Sequence, residues 1–332
     1  MTSKIPWSLP EGVEEILPPR AIKVENFRRK LIDLYIKEGY EFIIPPLLEL
    51  TKTLGGEAHD EIASHAFTFN DEVSNQSVSI RPDMSEQAAR IDAYRLESSG
   101  ITRLCYAGEV LKKEFSSISR SRMTFQVGSE IFGDPSIEAD IESINLMVES
   151  LKTLGVKDIT LSIGESGLIN SILNTIGGSP IQRSELESVL SKKSQSDIRD
   201  LSDKGLTEQN VDLLLNVSKM YGDKNVINKA EKELAHLGKE VKQKIDYLKA
   251  LLDNLPADED VTLHLDLGEI PGFKYHTGVV FSAFSKEAGY SLSKGGRYDG
   301  LTKEGARSRP AVGFDLDLLA VTEISSLTNK HD

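Results

Sequence analysis

Three short stretches bring together residue types that could build a ligand site. KGGRYDGL at 294–301 sets two adjacent glycines before an arginine, a tyrosine and an aspartate. Paired glycines allow close backbone approach or positive φ, and the side chains that follow supply charge and a hydroxyl. A strand–turn–strand with a surface Arg–Asp pair accounts for the same string. FKYHTGVVF at 273–281 places His276 between a tyrosine and a threonine, where a histidine either lines a pocket or ends a strand as a satisfied polar residue. The third group is scattered: Arg81-Pro82-Asp83, Lys112-Lys113-Glu114, and Gln126 four residues before Glu130. If 123–130 is extended, Gln126, Gly128 and Glu130 share one face. A Gln and a Glu buried together on a sheet need partners, which a small polar ligand or a neighbouring arginine would supply.

Other chemistries lack their residues. The six histidines show no HxxxH or HExxH spacing, and the single cysteine, Cys105, forms no CxxC, so no metal is expected. There is no Walker loop, no GxGxxG after a strand and no GxSxG elbow. With 332 residues, 39% of them hydrophobic, the chain has the length and composition of two ordinary soluble domains. Thirty-nine basic against 52 acidic residues leave a net charge of −13, which disfavours a broad nucleic-acid footprint. A lone cysteine in an apolar stretch suits a reducing, cytoplasmic setting. No run approaches the roughly 18 apolar residues of a membrane span, and the first residues lack the apolar core of a secretion signal.

These side chains need a scaffold, and the periodicity supplies one. Pro18 and Pro19 can open a helix in which Val24, Phe27, Leu31 and Leu34 recur at helical spacing, with Gly39 as its stop. YEFIIPPLLE reads as a short strand cut by Pro45 and Pro46. Residues 76–81, 103–110 and 123–132 read as further strands. A helix is expected from Ser136 to Leu154, with Ile137, Ile141, Ile144, Val148 and Leu151 as its stripe. Glu138, Asp140 and Glu142 load its start with the negative charge that its dipole favours. Residues 181–255 turn rich in Leu, Lys, Glu and Ser and pattern as several helices. VTLHLDLGEI and HTGVVFSAF then return to strand alternation. The expected class is α+β, an antiparallel sheet flanked by helices, with 181–255 a helical insertion between 1–180 and 256–325.

In order, these pieces also resemble something specific. LPEGVEEILPP and GYEFIIPPLLE are similar to the start and motif 1 of histidyl-tRNA synthetases, which are class II enzymes. IRPDMS is similar to that family's Arg-Pro-Glu-Gly-Thr strand end, and YAGEVLKKE stands where motif 2 carries Phe-Arg-x-Glu. FQVGSEIFG, EADIESINLMVESLKTLG, PGFKYHTGVVF, KGGRYDGL and PAVGF have counterparts too. The likeness covers about 9–175 and 258–320.

The departures bear on activity. The motif 2 arginine that meets ATP is Lys112 here, which keeps the charge but loses the bidentate fork. Pro271 stands for the arginine that opens the histidine-site motif, and Ala320 for the arginine that ends motif 3. Asp315 and Asp317 add negative charge nearby. Activation of an amino acid develops charge on phosphorus, so losing cations aimed there argues against catalysis. The amino-acid pocket is kept better. By position, Asp83 and Ser85 match groups that meet the amino group, Gln126 one near the carboxylate, and Glu130 the acceptor for the imidazole. Tyr275 is retained, His276 replaces a tyrosine, and Lys112 and Arg297 are expected to support the pocket. A sequence of this kind resembles the regulatory subunits of ATP phosphoribosyltransferase, a family paralogous to histidyl-tRNA synthetase. The resemblance implies no catalytic residues, no cofactor and no anticodon-binding domain. It implies instead a short-form catalytic partner, feedback by L-histidine at the first step of histidine biosynthesis, and a homodimer inside a hetero-oligomer without tRNA. A divergent histidyl-tRNA synthetase is the alternative.

Overall fold

The computed structural model describes residues 8–54, 64–96, 98–114, 121–176, 181, 183–269, 276–299 and 309–327. The first helix, Arg20–Lys37, begins directly after Pro19 and buries Val24, Phe27, Leu31 and Tyr35. Leu34 packs against the same core partly buried, and Tyr35 takes the fully buried place, because steps of three, four and four keep one line on the helix. Gly39, at φ +89°, ends it, and its amide donates to the Ile36 carbonyl.

A nine-stranded sheet organises the rest. Its order is β1 (Glu41–Phe42), β5 (Thr102–Leu111), β6 (Met123–Phe132), β12 (Pro310–Asp317), β11 (Ser293–Asp299), β10 (His276–Ser285), β7 (Ile159–Glu165), β9 (Val261–Asp266) and β8 (Tyr221–Gly222). The central strands from β5 to β7 pair antiparallel, as the alternation predicts. The flanks differ: β1 lies parallel to β5 and β9 parallel to β7. A largely helical crossover over 166–260, 95 residues, joins β7 to β9, and such a return brings the chain back in the same direction. The strand expected at 76–81 belongs elsewhere. It is β4 (Gln76–Ile80), the middle of a small sheet between β2 (Leu48–Leu50) and β3 (Phe67–Asp71).

The span 181–255 holds the helices Arg183–Ser191, Gln195–Arg199, Glu208–Val217, Asn225–Leu234 and Lys239–Asn254, and β8, which pairs with β9 at the sheet's edge. Its leucines, among them Leu186, Leu214 and Leu251, join the same buried cluster as Leu151 and Phe314. The change in composition along the chain therefore marks amphipathic helices laid on the common core. Among the described residues, no helix is long and apolar enough to cross a membrane.

Strand alternation gives the sheet two unlike faces. Cys105, Val127, Ile131, Val312 and Phe314 face the helices Arg20–Lys37 and Ile137–Thr153 within the main core. Burial pushes the Cys105 thiol up to about 12, so it acts as a small apolar side chain. On the other face, Leu104, Tyr106, Tyr298 and Ala311 form a smaller cluster with Met84, Ala88 and Ala89 of the short helix Ser85–Ile91 and the turn before it. Except for Arg297, the polar candidates among the described residues lie on or beside this second face.

Candidate functional site

Four glycines thin the second face where adjacent strands meet: Gly108, Gly128, Gly313 and Gly296. Each is covered by a side chain that a Cβ would displace. Arg81 covers Gly108, Glu130 covers Gly313, Tyr106 comes within 2.6 Å of the Cβ position at Gly128, and the His276 ring within 2.6 Å of that at Gly296. The register makes this possible, since Gly313 pairs with both Glu130 and Gly296, and Gly128 with Tyr106. Polar side chains thus lie against the sheet with their functional atoms gathered.

Glu130 is the centre of this array and is 1% exposed. The Tyr106 hydroxyl donates to its Oε1 at 2.9 Å and the Tyr298 hydroxyl to its Oε2 at 2.8 Å. Ser85 Oγ lies 2.9 Å from the Tyr106 hydroxyl and extends the chain of hydroxyls outward. Burial raises the Glu130 carboxyl to about 8, and the hydroxyls of Tyr298, Ser85 and Tyr106 only partly offset it. At neutral pH it is therefore largely uncharged, and an approaching N–H donor would favour its ionised form.

A second group sits four residues back along the same strand. Gln126, also buried, accepts from the Met84 amide at 2.9 Å and donates through Nε2 to Asp83 Oδ2 at 3.0 Å. Asp83 Oδ1 accepts from the Ser85 amide at 2.7 Å. The strand residue and the turn before the short helix thereby hold one another. Arg81 anchors this turn: its guanidinium donates to the carbonyls of Glu109 and Pro45, each at 2.8 Å. Pro45 and Pro46, which cannot donate to a ladder, still accept, the latter from Gln87.

The structure gives the two aspartates of β12 different work. Asp315 pairs with Gly128 and Lys294 in register, and burial raises its carboxyl to about 7, with Asp83 adding to the rise. Lys112, exposed at the end of β5, and Lys294 pull it back. Asp317 instead caps the helix Leu318–Ile324 by accepting from the amides of Leu319 and Ala320. Ala320 is buried in the main core.

The structure brings together Asp83, Ser85, Gln126, Glu130 and His276 on one face, with Lys112 at its margin; Tyr275 and Pro271 lie outside the described residues. Arg297 is a correction. It alternates with Tyr298, so it leaves β11 on the helix side. There it donates to Asp140 Oδ1 at 2.8 Å and to the carbonyls of Asp134 and Ser136 at 2.9 Å. Asp140, which stands in the first helical turn as the helix dipole favours, is also fully buried as its partner. Sequence reasoning missed Tyr106, Tyr298 and Gly313. Tyr106 could have been found from strand alternation; the Glu130–Gly313 stacking depends on register between distant strands.

An antiparallel sheet with motif 2-like strands, a polar ligand face and flanking helices defines a class II synthetase-like core. A family model described as histidyl-tRNA synthetase matches residues 12–321. Relatives named ATP phosphoribosyltransferase regulatory subunit include one from Methylobacillus flagellatus, 38% identical over 97% of this chain and 82% of its own length. Another, from Hydrogenovibrio crunogenus, is 35% identical over 96% of this chain and 82% of its own. A crystal structure titled ATP phosphoribosyltransferase regulatory subunit/histidyl-tRNA synthetase, from Bacillus halodurans C, superposes with a TM-score of 0.83 at 26% identity, covering 97% of this chain and 84% of that one. Histidyl-tRNA synthetase from Nostoc shares the fold, with a TM-score of 0.79 at 18% identity over 96% of this chain and 75% of that one. The chain belongs to the ATP phosphoribosyltransferase regulatory subunit family, within the wider histidyl-tRNA synthetase family.

Proposed function

We propose that this chain is a non-catalytic regulatory subunit that binds and activates a short-form ATP phosphoribosyltransferase and transmits feedback inhibition by histidine, at the first step of histidine biosynthesis. One observation supports this reading above the others. The face that meets an amino acid keeps a buried carboxyl and amide set, whereas the surroundings of the synthetases' ATP cations hold Asp315 and the buried Ala320. An imidazole offers one donor and one acceptor, and Glu130 with its tyrosine hydroxyls can answer either. Asp83 and Ser85 suit an ammonium group, and Gln126 Nε2 suits a carboxylate. His276, over Gly296, stands at the ring's side of the pocket. Lys112, at the margin of this face, is the cation with a place in the scheme, and it favours the ionised form of Asp315.

The same reading assigns a homodimer through the first helix and the segment after it. Of its four apolar candidates, Ile43 packs against the monomer's smaller core cluster, whereas Ile44 is 84% exposed, Leu47 50% and Leu48 47%, so burial in the monomer does not account for these three.

The test mixes the purified chain with a short-form ATP phosphoribosyltransferase that is nearly inactive alone. Activity should rise on mixing and fall again when histidine is added. Linkage requires that the partner's ligands shift histidine affinity by the factor that histidine shifts theirs, about 5- to 150-fold for a typical coupling. No change in activity on mixing, or histidine-dependent ATP–pyrophosphate exchange by the chain alone, would end the assignment.

A further inference from the structure

A second polar cavity lies on the opposite face of the sheet from the candidate histidine site. Open to solvent on one side, it offers about 410 Å³ between the helix Lys239–Asn254, β10 and β11, and its lining includes Glu165, Lys244, Tyr247, Thr277, Gly278 and Arg297. That volume is room for about a dozen waters or one small molecule. Glu165 ends β7 at the N-cap of the helix Ser166–Thr175; the Gly167 and Leu168 amides near its carboxylate favour the ionised form, but neither closes a well-formed capping bond. Glu165 is 1% exposed. Lys244 donates to its Oε1 at 2.9 Å, while Oε2 is buried without a hydrogen-bond partner. An orphaned buried acceptor costs free energy, so a donor that satisfies it is favoured.

The remaining groups say what that donor should carry. Lys244 uses one of its three hydrogens in the Glu165 bond and is 34% exposed, so it has donors left for an anion. Arg297 uses three of its five N–H groups on Asp140, Asp134 and Ser136. With Asp140 behind Arg297, the charges Lys244, Arg297, Glu165 and Asp140 sum to zero. A net ion would upset that balance, whereas a zwitterion preserves it and offers an N–H donor beside a carboxylate.

We propose that this cavity binds a small zwitterion of the amino-acid type, its ammonium group donating to Glu165 Oε2 and its carboxylate facing Lys244. This assignment stands apart from the regulatory reading, because it uses neither Glu130 nor Gln126. The two sites share strands: Thr277 and Gly278 line the cavity beside His276, and Arg297 lies between Gly296 and Tyr298. Occupancy of one is therefore placed to bear on the other.

Glycine and L-serine are the probes, with methylamine and acetate as the separated halves of the head group, titrated by calorimetry into the full chain at millimolar concentration. At least one zwitterion should bind saturably, one per chain, and at least tenfold more tightly than either half. Glu165→Gln, which replaces the orphan acceptor by a donor, should weaken it at least tenfold, while Gln126→Ala leaves it unchanged. Lys244→Met should also weaken it and stands in if Glu165→Gln does not fold. Absence of saturable binding to the wild-type chain overturns the proposal. So does binding that survives both cavity substitutions or is lost with Gln126→Ala, the last placing the zwitterion on the histidine face.

Discussion

Glu130 lies directly over the bare Cα of Gly313, and a Cβ at that glycine would overlap the carboxylate. The buried carboxyl on β6 and the glycine on β12 thus form one unit. Gly313→Ala should force Glu130 out of its bonds with Tyr106 and Tyr298. Overpacking of this kind costs about 1–3 kcal/mol of stability. Histidine affinity should fall at least tenfold, as read by calorimetry on protein whose circular dichroism is unchanged.

Glu130→Ala tests the ring contact itself. Losing a charge-assisted hydrogen bond should cost about 1.5–3 kcal/mol of histidine affinity. Activation of the catalytic partner should persist while histidine inhibition disappears, since pocket and partner surface are separate. Joint loss of both responses in a complex that still assembles would refute that separation.

Stability should also fall with pH across one window. The Glu130 carboxyl is raised from 4.5 to about 8 by burial. Between those values the native state holds a proton that the unfolded chain has released, so unfolding becomes easier as pH rises. Its contribution is full below about 4.5 and is lost as pH climbs through about 8. Glu130→Gln stays neutral throughout, and its urea midpoint should decline less between those limits than that of the wild type. Equal slopes would show that Glu130 titrates normally.

Arg297 is expected to matter for stability and not for the ligand. Arg297→Ala leaves Asp140 buried without its cation, and removing one partner of such a pair costs about 3–5 kcal/mol. Arg297→Lys should rescue poorly, because one ammonium cannot reproduce a fork spread over a carboxylate and two carbonyls. Denaturant midpoints give the order of the three proteins. An unchanged histidine affinity in Arg297→Lys, where it still folds, checks that this residue lies outside the pocket.

The homodimer is tested at its exposed apolar segment. Ile44→Asp with Leu47→Asp should leave a folded chain of 36.6 kDa by mass measurement, where the wild type gives twice that. A monomeric wild type without its partner, at the same concentration, would remove the basis for assigning this surface.

Much of this molecule is readable from local pattern. Helix spacing marks Arg20–Lys37 and Ile137–Thr153, and strand alternation puts Gln126, Gly128 and Glu130 on one face, because both periods are properties of adjacent residues. The ordered motifs likewise identify the family before any coordinates. What local pattern cannot set is which strands become neighbours and which face a residue takes within a glycine-rich string. KGGRYDGL contains Tyr298, which reaches Glu130, and Arg297, which turns away to Asp140, 157 residues distant. The period of two separates them, yet which face is the ligand's follows only once β11 is laid between β10 and β12. Asp140 shows the same limit from the helix side. In sequence it is a charge in a first turn, and packing makes it the buried anchor of an arginine. The orphan oxygen of Glu165 exists only because a helix from the 181–255 span closes over the end of β7 and brings a single lysine to one side of the carboxylate.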